Sequence, residues 1–158
     1  MSNPQNEIPQ PRMEYADFLA AAPEVGQLLL QLGQAPGKAG LEKPLTELVK
    51  LRVSQVNGCA FCVGFHTNLL RQLEIPQAKL DFLPVWREVA HYTRRERAAL
   101  AWAEVLTRLD GHGVPDEAYA AAAAEFSSKE LLYLTVTIGT INQYNRIGVA
   151  LRFTPPAG

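Results

Sequence analysis

The chain has 158 residues, 47% of them hydrophobic and 20% charged, with a formal net charge of −1. That composition suits one globular domain with a real hydrophobic core. The scattered Lys and Arg form no basic footprint for nucleic acid. The longest apolar-rich stretch, Leu131 to Ile141, is interrupted by Tyr133, Thr135, Thr137 and Thr140 and falls short of the ~20 residues of a membrane span.

Residues 1–12, MSNPQNEIPQPR, are polar and proline-rich, with no apolar signal-peptide core. They read as a flexible arm ahead of a domain over residues 13–158, and the cytoplasm is the expected compartment. A short helix is predicted from about Pro23 to Leu32, followed by a loop at GQAPGKAG. Pro44 suits a first helical turn, and Leu45, Leu48, Val49, Arg52, Val53 and Val56 then recur at helical spacing. Asn57-Gly58 ends that helix, since both residues tolerate left-handed geometry. The next helix runs from near Cys59 to about Leu73, and Pro76 and Pro84 punctuate the segment after it. Thr93–Glu96 and Ser127–Glu130 have the capping-box pattern, opening helices to about Leu109 and Leu151. Between them lie a turn at Gly111-His112-Gly113 and a short Ala-rich helix begun by Pro115. No strand alternation is found, so the fold class is all-α, a single-domain bundle of about six to eight helices. The last helix is apolar nearly all round, which fits burial in the core or against another subunit; a homo-oligomer is expected.

The chain has two cysteines, Cys59 and Cys62. So close a pair in a reducing compartment points to catalysis or metal binding rather than a disulfide framework. On a helix starting at Cys59, the side chains of Cys59, Cys62 and His66 share one face, with Cys62 and His66 one turn apart. Free N–H groups in the first turn stabilise a thiolate at Cys59, whereas the imidazole neighbour favours one at Cys62. Glu47 lies ~16 Å along the preceding helix from the Asn57-Gly58 break, and His66 ~12 Å beyond it. If the two helices fold back on each other, Glu47 reaches the level of His66 and can orient it or relay a proton through it. Zinc is the rival reading of this spacing, but no second Cys-x-x-Cys or His-x-His completes a ligand set, and His91 and His112 read as surface residues. Phe61 and Phe65 are expected to line an apolar pocket beside the thiols. Trp86 and Trp102 read as core or interface aromatics; Tyr144, Asn145 and Arg146 either cap that pocket from the last helix or build a subunit contact, the structural role being preferred.

The stretch from Glu47 through eleven residues to Cys59-Ala60-Phe61-Cys62-Val63-Gly64-Phe65-His66, with INQYNRIGVALR in the last helix, resembles the AhpD-like alkylhydroperoxidase group of the carboxymuconolactone decarboxylase family. The resemblance covers roughly residues 13–153. It implies a helical fold assembled into trimers or hexamers, and peroxide reduction by a dithiol with no cofactor or metal. Cys62 would attack peroxide and become a sulfenic acid. Cys59, taken as nearer the surface, would resolve it as a disulfide and exchange with a thiol or dithiol donor. Glu47 and His66 would form the proton relay. Phe61 departs from the group's peroxidases, which carry a second histidine there; the departure implies a shorter relay, and a weaker peroxidase or a different oxidant. Alternatives are a disulfide oxidoreductase or redox sensor acting on a partner protein, and a decarboxylase-like enzyme, against which the intact cysteine pair argues.

Overall fold

The computed structural model describes residues 9–157. Its element order is α1 (Tyr15–Ala21), α2 (Pro23–Lys38), α3 (Lys43–Asn57), α4 (Ala60–Gln72), α5 (Gln77–Asp81), a 3-10 helix (Leu83–Glu88), α6 (Arg94–Thr107), α7 (Asp116–Ala123) and α8 (Ser128–Leu151). The fold is all-helical among the described residues. With the 3-10 helix there are nine elements, one more than the upper expectation.

The centre of the molecule is α3. Its two apolar flanks face two cores. Leu45, Val49 and Val53 pack with Trp102, Leu134, Ile138 and Ile141 of α6 and α8. Leu48 and Leu51 pack with Leu70, Leu83, Trp86 and Leu100 on the other side. Both tryptophans therefore belong to the core. The polar residues that α3 buries are all partnered, as burial requires. Arg52 Nε donates to Glu104 Oε1 at 2.7 Å, and Ser54 Oγ to the Lys50 carbonyl at 2.8 Å. Glu104 also accepts from Trp86 Nε1 and Arg87 Nη1, which ties α3, the 3-10 helix and α6 together and holds its carboxyl down at about 2 despite the opposing effect of burial.

Both capping boxes form, at Thr93/Glu96 and Ser127/Glu130. Three elements differ from the sequence reading. GQAPGKAG is not a loop through its length: α2 continues through Pro36 to Lys38. Gly26, Leu29 and Pro36 make one buried stripe on it, and that packing outweighs the local turn preference of Gly and Pro. Helix α1 was not anticipated. It buries no residue and is held by the rings of Tyr15 and Phe18 against Phe153. The proline-punctuated segment folds as α5 and the 3-10 helix, anchored by Leu80, Leu83 and Trp86.

The expected arm over residues 1–12 lies outside the described residues as far as position 8. At its end, the Arg12 and Met13 amides donate to the Leu151 carbonyl at 2.9 and 3.2 Å. Arg12 Nη1 donates to the Ala150 carbonyl at 2.9 Å. These bonds satisfy carbonyls that the C-terminus of α8 would otherwise leave unpaired.

Candidate active site

Helices α3 and α4 form a hairpin. Gly58 caps α3 in the left-handed region, at φ 69°, where a glycine carries no Cβ penalty. The Cys59 amide donates back to the Ser54 carbonyl at 3.0 Å. Cys59 is then the N-cap of α4, its sulfur accepting from the Cys62 amide at 3.3 Å. The sulfurs of Cys59 and Cys62 are bonded as a disulfide, with Cα atoms 5.3 Å apart, within the range such a bridge spans.

The turn is held from α8. Asn57 Nδ2 donates to Asn142 Oδ1 and Asn145 Oδ1, both at 2.9 Å, and Asn145 Nδ2 donates to Ser54 Oγ at 3.0 Å. Asn145 is fully buried and structural, whereas Arg146 is exposed and bonds only back along α8 to Asn142. Gly148 allows α8 to sit on the disulfide: a Cβ there would stand 3.0 Å from Cys59 Sγ and 3.6 Å from Cys62 Sγ.

The hairpin brings Glu47 to His66, with Glu47 Oε2 and His66 Nδ1 2.6 Å apart. Lys50 Nζ donates to the other oxygen, Oε1, at 2.8 Å. Burial pushes the Glu47 carboxyl up, but the hydrogen bond from His66 and the charge of Lys50 outweigh it and bring it to about 2. Burial lowers the pKa of His66, and its bond to Glu47 restores only part of the loss. The pair is therefore an anionic Glu47 and a neutral His66. An anionic carboxylate can only accept, so Nδ1 carries the proton and Nε2 keeps its lone pair. Lys50 was missed from the sequence; its position three residues after Glu47, on the same helix face, was the available signal.

A cavity of about 450 Å³ opens beside this chain, walled by Cys62, His66, Glu47, Phe61, Phe65 and Tyr144, among others. Phe61 and Phe65 thus line an apolar pocket as expected. Tyr144, read as structural, also stands on its wall. Cys59 does not, and the expectation that it lies nearer the surface is reversed: Cys59 is 1% exposed and Cys62 5%. The close approach of α8 at Gly148 covers the first cysteine, while Cys62 one turn on faces the cavity. His91 and His112 are both exposed, and neither lines the cavity. Among the described residues no group of three or more His, Cys, Asp and Glu side chains is gathered to hold a metal, and no helix is long and apolar enough to cross a membrane.

Residues 23–105, the span from α2 into α6 that contains the whole hairpin, match the carboxymuconolactone decarboxylase family. The chain belongs to that family. Within it the chain is AhpD-like. It is 36% identical to ATU0492 of Agrobacterium tumefaciens, a protein of unknown function with a provisional AhpD antioxidant-defence assignment. Their structures superpose with a TM-score of 0.87 over 94% of this chain and 100% of that one. The uncharacterised YdfG of Bacillus subtilis is 32% identical over 134 residues, 85% of this chain and 91% of its own. The alkyl hydroperoxide reductase AhpD of Rhizorhabdus wittichii is 42% identical over 55 residues, 34% of this chain and 32% of its own length.

Proposed function

We propose that this AhpD-like protein reduces hydroperoxides with the Cys59–Cys62 dithiol, needing no metal or cofactor. The supporting observation is that Cys62, and not Cys59, faces the cavity, on the same wall as His66 and Glu47. In the reduced protein, His66 Nε2 takes the Cys62 proton, while Glu47 orients the ring and stabilises the imidazolium. The thiolate attacks peroxide, and Cys62 becomes a sulfenic acid. The Cys59 thiol then attacks the Cys62 sulfur, a disulfide forms and water leaves. A thiol or dithiol donor restores both thiols.

Direct exchange of Cys59 with a partner protein has less support, because α8 lies over that sulfur at Gly148. Turnover of the disulfide suits a reducing compartment such as the cytoplasm. The exposed apolar side chains Leu28, Leu30, Leu132 and Val149 support a homo-oligomer, and the resemblance to the AhpD-like group is what suggests a trimer or hexamer. The test is peroxide consumption by cysteine variants. Cys62→Ser is expected to abolish it, and Cys59→Ser to stop after one turnover at a sulfenic acid that dimedone traps. Activity retained in Cys62→Ser would sink the assignment.

A further inference from the structure

The wall of the Cys62 cavity carries four hydroxyls that the chemistry above does not use, on Tyr15, Thr46, Thr140 and Tyr144. Thr46 Oγ1 donates to the Lys43 carbonyl at 3.0 Å, and Thr140 Oγ1 to the Val136 carbonyl at 2.8 Å. Glu47, Lys50 and His66 Nδ1 are paired with one another. By contrast, the phenol hydroxyls of Tyr15 and Tyr144 make no hydrogen bond to any described residue, and neither is sealed away from a small molecule. Both residues line the cavity.

The two differ in how they are held. Tyr15 rides on α1, which buries no residue. Tyr144 stands on α8 one turn beyond Thr140, between Asn142 and Asn145, both of which are locked to Asn57 at the hairpin turn. Its neighbour Asn145 is also tied to Ser54. Tyr144 therefore presents a free donor from a fixed part of the wall, the arrangement that a transition-state contact requires. Burial, and the nearby Tyr15, push its phenol up to about 12, so it keeps its proton at neutral pH.

We propose that Tyr144 is a further catalytic residue, its hydroxyl donating to the oxygen that leaves when Cys62 attacks an organic hydroperoxide. The proposal rests on the peroxidase reading above. The Cys62 thiolate forms a bond to the terminal oxygen of R–O–O–H, and the O–O bond breaks. Sulfur is oxidised to the sulfenic acid, whose oxygen keeps the peroxide hydrogen. The alkoxide RO⁻ takes the Tyr144 proton and leaves as the alcohol, and the tyrosinate is reprotonated through solvent as His66 gives up the proton it took from Cys62. The apolar body R would lie against Phe61, Phe65, Leu29 and Ile141, which share the cavity. The ligand class is thus an alkyl or aryl hydroperoxide of a size the ~450 Å³ cavity admits.

The test is single-turnover oxidation of the reduced full-length chain by cumene hydroperoxide, with Tyr144→Phe, which keeps the ring and removes only the hydroxyl. Alkylation of Cys62 by iodoacetamide across pH is measured beside it, because that reaction needs the thiolate but no proton for an alkoxide. The expected result is a ~100–1,000-fold slower oxidation in Tyr144→Phe, with an unchanged alkylation profile. Oxidation at the wild-type rate overturns the role of Tyr144 and leaves the peroxidase reading standing. Equal loss in both reactions also overturns it, since Tyr144 would then act only by shaping the thiol. A wild-type dithiol inert to hydroperoxide overturns both.

Discussion

Lys50 and Glu47 show how one unremarked side chain sets the chemistry of its neighbours. Both Glu47 oxygens are occupied, one by Lys50 and one by His66. That double pairing suits a group that orients and stabilises charge more than one that carries protons back and forth. The charge of Lys50 also adds to the lowering of the His66 pKa that burial begins. If neutral His66 is the base for Cys62, the acid limb of peroxide turnover reports its protonation. Lys50→Met removes a neighbouring positive charge, so the pKa of His66 rises and less of it is neutral at a given pH. The acid limb is expected to move to higher pH, and a histidine NMR titration should move the same way. An unmoved limb would separate Lys50 from the base.

At the scale of elements, the site depends on the register of the α3–α4 hairpin, and that register depends on one turn. Gly58 is held at φ 69°, and a Cβ there would meet nothing within 4 Å. The cost of Gly58→Ala is therefore one of backbone conformation and not of packing, about 1–2 kcal/mol. The expectation is a lower urea midpoint with an unchanged m-value. Asn at the same place, which visits the left-handed region more readily, should lose less. If alanine cost nothing, the left-handed cap would not be what fixes the turn. The contrast with α2 is instructive. There Gly33, Pro36 and Gly37 lie inside a helix, because the stripe through Leu29 and Pro36 has something to pack against. The same residue types punctuate at Gly58 and continue at α2, and only the neighbours differ.

At the scale of the whole molecule, α3 carries apolar residues to two cores, and α8 closes the one that backs the site. The apolar character of α8 is only partly explained by that core. Leu132 is 60% exposed, and on α2 Leu28 is 65% exposed. Covering such residues with a second copy removes apolar surface from water at ~25 cal/mol per Å². Light scattering of the full chain is expected to give three or six times its 17.4 kDa mass. A monomer at micromolar concentration would leave these side chains as ordinary surface residues.

Much of the site was legible in the sequence, because local spacing determines it. Cys59, Cys62 and His66 lie within eight consecutive residues, Cys59 as the N-cap of α4 and Cys62 and His66 one turn apart along it. The break at Asn57-Gly58 and the distances either side of it put Glu47 level with His66 provided the two helices fold back on each other, and the hairpin meets that condition. The capping boxes were readable for the same reason, since both partners are three residues apart. What tertiary structure decided is whatever depends on distant segments meeting. The sequence could not say which cysteine faces a cavity. Helix-end electrostatics favoured exposing Cys59, but α8 arrives at Gly148, some ninety residues later, and covers it. Nor could it choose for Tyr144 between the cavity wall and a subunit contact, or keep α2 helical through Pro36. Those outcomes follow from burial against another element, and burial is a property of the folded chain that no local pattern of residues contains.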